Sequence, residues 1–405
     1  MTMTSEHHLF DVVICGAGAS GLAVALELSR SKKSIRVAIV DPDFKTTVNK
    51  TWCLWDSTVT SDSFIHHSWK TVQVRDETQS VKESLHRHQY ICIKAVDYRK
   101  TIIEELCSDN RFQFIQSKVF SVSRKKSDTV ITITESGLEI HSHYVVDARF
   151  NHVGELNIDP DANTLWQHFK GWEIQTREPI FDPDCAVMMD FRVPQSDGFA
   201  FIYLLPFSSS TALIELTYFN TELPDPDYYN SKIAAYLESN YGLIRQDASL
   251  NTSDYIVENV EYGVIPMTDI PYTSKSDDDR IISTGLIGGQ AKASTGYAFA
   301  RSQRFAKLIA KNILDGQFFT DTNGSIRFRY YDMLMLHIIR HHPANAVQIF
   351  LQLFQKNGIE TMFDFLDEKT DFITELKIMS TVPKYSEYFN AMWQTRKKIP
   401  KLQRQ

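Results

Sequence analysis

The hydrophobic pattern opens with an apolar run from Leu9 to Cys15 (LFDVVIC), then glycines, then a stretch in which Leu22, Ala25, Leu26 and Ser29 share one helical face. A second apolar run, Ile35 to Val40, ends at Asp41. Strand, turn, helix and strand within about thirty residues make a β-α-β unit. From Trp69 to Tyr90 apolar and polar positions alternate, which predicts an antiparallel strand pair. Asp97 to Cys107 has helical periodicity, and Arg111 to Val146 reads as further strands that end in YVVDAR. Beyond residue 151 the runs CAVMMDF, GFAFIYLL and TALIELTYF predict strands, with a helix over Ser231 to Ser239. RIIST at 280–284 leads into TGLIGGQAKASTGY and then a helix, AFARSQRFAKLIAKNIL. After Gly324 the chain turns helical and aromatic, and no internal repeat is visible.

This order predicts an α/β protein. A Rossmann-like nucleotide-binding domain over 1–150 returns at 276–322, a mostly antiparallel β domain over 151–275 is inserted to hold substrate, and a helical region over 323–405 covers substrate or meets a membrane. A chain of 405 residues exceeds what one core usually fills, which fits such a division. Hydrophobic residues make up 43% of the chain, as expected of a globular protein, and a net charge of -7 argues against a nucleic-acid partner. The cysteines Cys15, Cys53, Cys92, Cys107 and Cys185 are scattered and never spaced Cys-x-x-Cys. That argues against a disulfide framework, a zinc knuckle or a redox dithiol and suits a reducing cytoplasm. The first residues, MTMTSEHHL, are too polar for a secretory signal, and no run approaches the roughly 18 apolar residues of a spanning helix. Any membrane contact is therefore expected at the surface. The composition leaves the oligomeric state open.

Gly16-Ala17-Gly18-Ala19-Ser20-Gly21 follows the first strand and opens the first helix, with Asp41 at the end of the second strand. Gly16 permits a tight turn, Gly18 lets the backbone approach a pyrophosphate, and Gly21 allows close helix packing. The helix N-terminus offers free N–H groups to the anion, and Asp41 can accept from an adenosine ribose. Two further segments favour FAD over NAD. Asp147, in Val145-Val146-Asp147-Ala148-Arg149, ends a strand as a similar short motif does in many FAD-binding proteins. Gly285, Gly288, Gly289 and Gly296 precede a long helix whose positive end can face a flavin or pyrophosphate. A glycine-rich active-site loop without flavin is the alternative reading of that second segment. No second G-x-G-x-x-G is present, so no dedicated NADPH domain is expected.

Asn49-Lys50-Thr51-Trp52-Cys53-Leu54-Trp55 resembles the Asn-x-Thr-Trp-Cys-x-Trp signature of lycopene cyclases. Met189-Asp190-Phe191-Arg192, Phe201 to Pro206 and Ala212-Leu213-Ile214-Glu215 are similar to the family's central block. Gly263-Val264-Ile265-Pro266 and Ser294-Thr295-Gly296-Tyr297 are similar to two more blocks in the same order. Together they cover most of residues 10 to 315, with fainter similarity through Phe365-Leu366-Asp367. The resemblance implies an FAD-dependent lycopene β-cyclase. Such an enzyme closes the ψ ends of lycopene or a related linear carotenoid without net redox change, with FAD reduced, NAD(P)H as reductant and Glu215 as the acid. It departs from the pattern at Leu216, where many relatives carry a polar or acidic residue. It also lacks the Gly-Asp pair of flavin hydroxylases, because Gly285 is followed by Leu286.

An alkene is a very poor base, so the acid must stay protonated, and burial among apolar groups achieves that. In TALIELTYF, Leu213, Glu215 and Thr217 share one face of a strand, and Asp190 and Glu261 are the next carboxyls to consider. A surface or salt-bridged strand glutamate is the plainer reading of Glu215. A developing cation calls for aromatic faces, for which Trp52, Trp55, Tyr203, Tyr297 and Phe299 are candidates, although each by itself also reads as packing. His337 and His341 have helical i, i+4 spacing but no acidic or cysteine companion, so no metal is expected. The basic tail Arg396, Lys397, Lys398, Lys401 and Arg404 reads as solvated or as a membrane-surface contact. Two other functions stay open on the same residues: an FAD- and NAD(P)H-dependent hydroxylase, halogenase or isoprenoid reductase acting on an apolar substrate, and a non-enzymatic flavin or carotenoid carrier.

Overall fold

A computed structural model describes residues 9–44, 49–56, 63–124, 129–150, 162–244, 253–269, 279–317, 325–383 and 385–396. The first apolar run is β1 (Leu9–Cys15), whose successive side chains serve two cores, Val12 and Ile14 facing one and Val13 and Cys15 the other. α1 (Ala19–Ser29) and β2 (Val37–Asp41) complete the β-α-β unit, with β1 and β2 parallel. β3 (Thr51–Asp56), β4 (Ile65–Trp69), β5 (Thr71–Arg75), β6 (Ser80–Ser84) and β7 (Gln89–Lys94) follow. β3, β7 and β4 form a small antiparallel sheet. α2 (Ala95–Cys107), β8 (Phe112–Gln116), β9 (Val119–Arg124), β10 (Val130–Thr134) and β11 (Glu139–Asp147) return the chain to β1, beside which β11 runs parallel.

β12 (Thr164–Thr176), β13 (Cys185–Asp190), β14 (Phe199–Pro206), β15 (Thr211–Asn220), α3 (Tyr228–Tyr241) and β16 (Tyr255–Thr268) build the second large sheet and its covering helix. Its order is β16-β12-β15-β14-β13-β5-β6. The hairpin of residues 71–84, grouped with the nucleotide-binding region from the sequence, therefore belongs to this second sheet, where β5 runs parallel to β13. Local alternation identifies a strand but carries no information about a partner more than a hundred residues away. Residues Ala212 to Phe219 are buried without interruption. Phe199, Phe201, Leu213 and Phe219 face a core shared with the C-terminal helices, while Ile202, Leu204, Ile214 and Leu216 face a core under α3. Two-sided burial is why these strands read as continuous apolar runs.

β17 (Ile281–Ser283) comes back beside the end of β11 and completes the first sheet, ordered β8-β2-β1-β11-β10-β9. α4 (Phe299–Asp315) then packs against α1. Squeezed between the sheet, α2 and α4, α1 is buried from Gly21 to Leu26 and again at Leu28, a wider surface than its single predicted face. α5 (Ile326–His341), α6 (Pro343–Asn357), α7 (Ile359–Leu366), α8 (Phe372–Ser380) and α9 (Tyr385–Thr395) close the far side of the second sheet. Phe350 of α6 stacks on Phe199 with ring centroids 5.2 Å apart. Burial of such a side chain contributes roughly 1.5–3 kcal/mol. Among the described residues no helix is long and apolar enough to cross a membrane. The boundaries expected at 150, 275 and 322 adjoin or fall within 151–161, 270–278 and 318–324, and the basic tail beyond Arg396 also lies outside the described residues.

Candidate active site

At the end of β1 the chain turns at Gly16, whose φ of +103° is costly for any residue with a Cβ. A Cβ on Gly21 would stand 2.0 Å from the Gly16 carbonyl oxygen, so the helix can start this close to the strand only because that position is bare. The amides of the first turn of α1, beginning at Ala19, have no carbonyl partners within the helix and form its positive end. Gly18 precedes them, and a Cβ there would enter open cavity. Asp41 accepts from the Ala17 amide at 2.7 Å and the Asp43 amide at 3.0 Å. These bonds brace the turn and leave further lone pairs for a ligand hydroxyl.

From this turn a cavity of about 900 Å³ reaches the face of β12, β14 and β15. Its charged lining is Lys50, Arg99, Lys118 and Arg149 against Asp41 and Glu215, a net positive surface suited to a pyrophosphate. Gly285, Gly296, Trp52, Tyr203, Tyr297 and Phe299 also line it. Asp147 does not. It holds Arg149 bidentately, accepting from Nε at 2.8 Å and Nη2 at 2.7 Å, so its effect on a ligand passes through that guanidinium. Gly288 and Gly289 lie outside the lining; a Cβ on Gly288 would come 2.6 Å from the Ser283 carbonyl oxygen, so its place is to let the loop fold on β17.

Alternation along β3 divides the signature tryptophans. Trp52 stacks on Phe299 at 5.2 Å on the cavity wall. Trp55 lies behind the wall, stacked on Phe363 at 4.4 Å and touching Tyr297 at 4.6 Å. The Tyr297 hydroxyl meets those of Tyr90 at 3.0 Å and Tyr203 at 3.4 Å, and burial pushes all three phenols up, so they remain neutral. His337 and His341 lie ring to ring on α5, centroids 4.4 Å apart.

Glu215 pairs across β14 with Tyr203 and across β12 with Gly171. Only 8% exposed, it accepts from the Thr217 hydroxyl at 3.2 Å. Burial holds its carboxyl well above the usual range and the neighbouring Glu261 carboxyl adds to this; among the described residues no cation forms an ion pair with it. Leu216 points to the opposite core under α3, so the strand position after the acid does not share the cavity face. Gly171 is the residue that sequence reasoning missed, and Glu261 entered it only as one of the next carboxyls after Glu215. A lone glycine within the strand LWQHFKGWEI was the available signal, since it marks a close approach.

The glycine-rich turn, the first sheet with its parallel β8-β2-β1-β11 core and the mostly antiparallel second sheet across the cavity define a Rossmann-like fold of the kind found in flavoproteins. A geranylgeranyl bacteriochlorophyll reductase-like protein of Thermoplasma acidophilum superposes with a TM-score of 0.63 at 12% identity, covering 96% of this chain and 99% of that one. A flavoprotein/dehydrogenase of Cytophaga hutchinsonii gives 0.61 at 11% identity over 96% and 100%. The chain belongs to the lycopene cyclase family, whose model, described as lycopene cyclase protein, matches residues 11–392. Relatives include a neoxanthin synthase of Solanum lycopersicum, 24% identical over 77% of this chain and 62% of its own length. The lycopene beta cyclase of Arabidopsis thaliana is 25% identical over 77% and 61%, and the lycopene beta-cyclase of Pantoea ananas 23% identical over 71% of each chain. The match thus spans about three fifths of the plant relatives.

Proposed function

We propose that the protein is an FAD-dependent lycopene β-cyclase in which Glu215 protonates the terminal double bond of a ψ end group, giving γ-carotene and β-carotene. The observation that carries this reading is the place of Glu215: a buried carboxyl without a cation, on the wall of the cavity that begins at the Gly16 turn. Such a carboxyl keeps its proton at neutral pH and can deliver it to carbon. The resulting tertiary cation is attacked by the next double bond, and loss of a ring proton ends the reaction, so one proton enters and one leaves. Trp52, Tyr203, Tyr297 and Phe299 offer aromatic faces worth roughly 0.5–2 kcal/mol each to a cation, with Trp55 supporting Tyr297 from behind.

Gly16, Gly18, Ala19 and Asp41 would hold the pyrophosphate and adenosine of FAD, with Arg149, Gly285 and Gly296 lining the rest of its path. Held there in reduced form, with NAD(P)H as reductant, the flavin would supply electron density that stabilises positive charge or a group that takes part in proton transfer. The test is anaerobic incubation with lycopene-loaded liposomes and reduced FAD, followed by chromatography of the pigments. Cyclic carotenoid without stoichiometric NAD(P)H consumption supports the cyclase. One NAD(P)H consumed per hydroxylated or saturated product identifies a redox flavoenzyme instead. Gly18→Val, which fills the cavity beside the turn, is expected to abolish FAD retention, read from the flavin absorbance of the purified protein.

The substrate is taken from a membrane surface. Supporting this, α8 exposes Phe372, Ile373 and Leu376 at 52%, 66% and 53%. Liposome flotation is expected to weaken in Phe372→Ser/Ile373→Ser; unchanged flotation would remove α8 from the contact.

A further inference from the structure

β12 lies between β15 and β16, and its Gly171 is in register with Glu215 on one side and Glu261 on the other. In-register residues of neighbouring strands point to the same face, and the outer two of three strands stand roughly 9.6 Å apart. An ordinary side chain between them would fill that gap. At Gly171 there is none, and a Cβ there would lie 2.9 Å from Leu213 Cδ1, 3.0 Å from Glu261 Cγ and 3.2 Å from Glu261 Oε1. The two glutamates thus meet over bare backbone. Glu261 is 4% exposed and, among the described residues, neither of its carboxyl oxygens has a donor in hydrogen-bond geometry and no cation pairs with it, so a full negative charge there is poorly compensated. Two carboxyls in this position are held together only if a proton lies between them.

We propose that Glu261 is the positioning partner of Glu215, the two carboxyls sharing one proton across Gly171 so that Glu215 is held as the neutral acid facing the cavity. The inference rests on the reading of Glu215 as the acid. The remaining groups around the pair fit it. Cys53 and Cys92 of β3 and β7, in register with one another, and the phenols of Tyr203 and Tyr297 face the pair, and Cys92, Tyr203 and Tyr297 are all pushed toward their neutral forms. Thr51 acts on Glu261 and lowers its pKa, Thr217 bonds Glu215, and Glu173, a further carboxylate that acts on Glu261, is ion-paired with Lys94 at 2.8 Å. Burial raises both glutamates, which favours one proton retained between them, and of the two it is Glu215 that lines the cavity.

The test reads protonation directly, by infrared titration of the carboxyl C=O stretch of the full-length protein in D2O without lycopene. A protonated-carboxyl band persisting above pH 7, absent from Glu215→Gln, is expected in the wild type. In Glu261→Gln its midpoint is expected to fall by about one pH unit or more, since the like charge is gone while burial remains. Gly171→Ala, which keeps both carboxyls but wedges them apart, is expected to move the midpoint the same way, and the alkaline limb of kcat/KM for cyclisation shifts with it. An unmoved midpoint in Glu261→Gln overturns the pair even if Glu215→Gln abolishes cyclisation. A shifted midpoint combined with full cyclisation by Glu215→Gln leaves the shared proton standing and removes Glu215 as the acid.

Discussion

Two carboxyls lie on strands of the same sheet, separated only by β14, and they end in opposite states. Asp190 at the end of β13 is fully buried, yet its pKa falls below the ordinary range. Burial alone would raise it, but Arg192 at 2.7 Å, Arg75 at 2.8 Å and the Tyr236 hydroxyl at 2.6 Å more than offset that. Glu215 is slightly less buried, pairs with no cation among the described residues, faces a second carboxyl and is pushed up. The depth of burial therefore does not separate a carboxyl held ionised from one pushed toward its neutral form; the charge of the company does. Asp190, a candidate acid by sequence alone, is an anchor that ties β5 and α3 to β13.

The largest expected effect tests the Glu215 side of this contrast. Glu215→Gln is expected to reduce cyclisation by a factor of about 10²–10⁴, the usual contribution of a general acid, with the unfolding transition retained. Glu215→Asp keeps the proton but withdraws it, and a displacement of ~1 Å costs about a hundredfold. Pigment chromatography against remaining lycopene measures both. Asp190→Asn is the reverse experiment. Two guanidinium groups lose their partner, so the protein is expected to lose about 3 kcal/mol or more in denaturant unfolding, while the activity of the fraction that folds survives. Loss of cyclisation at unchanged stability would make Asp190 an acid and dissolve the contrast.

Stability against pH sharpens the comparison further. A carboxyl whose folded pKa is raised contributes most below its unfolded value, near 4.5, and that contribution is lost as pH rises through the folded pKa. Glu215→Gln is therefore expected to gain on the wild type above pH 4.5, by about 1.4 kcal/mol per unit of pKa difference, with the gap closing in acid. Urea unfolding at pH 4.5 and pH 8 reads it; equal stabilities at both would mean that Glu215 is not raised. The smallest effect concerns His168, on the opposite face of β12, where burial lowers the imidazole to about 4 and Nδ1 lies against the Tyr229 hydroxyl at 2.5 Å. For a depressed base the sign reverses. Stability is full above 6.5 and is lost as pH falls toward 4, with a slope of at most about 1.4 kcal/mol per pH unit. His168→Asn should flatten that slope, and an unchanged slope would assign the acid loss to other groups.

Much of the first sheet and its helices was legible because their signals are local. The turn at Gly16, the packing at Gly21, the brace at Asp41 and the helix after Gly296 each depend on a few neighbouring residues; β1, β2 and α4 lie within a residue or two of their predicted places, and α1 holds the predicted Leu22, Ala25, Leu26 and Ser29. Even the face shared by Leu213, Glu215 and Thr217 follows from strand alternation. The candidate site was legible only in part. Trp52 and Trp55 stand three residues apart in one signature, yet one lines the cavity and the other supports it from behind, because the face a strand turns to a cavity depends on which sheet packs above it. Asp147 reads as a ligand until its bidentate hold on Arg149 is seen.

The sequence by itself determined the glycine-rich turn between the first strand and the first helix, and which carboxyl lies in the strand TALIELTYF. Whether that carboxyl keeps its proton was decided only by the tertiary structure. Gly171 and Glu261 are 44 and 46 residues from Glu215 on either side of it along the chain, and their meeting depends on β12 being seated between β15 and β16. The energy of a charge is set by what surrounds it in space, and proximity in sequence carries none of that for groups brought together by strand pairing.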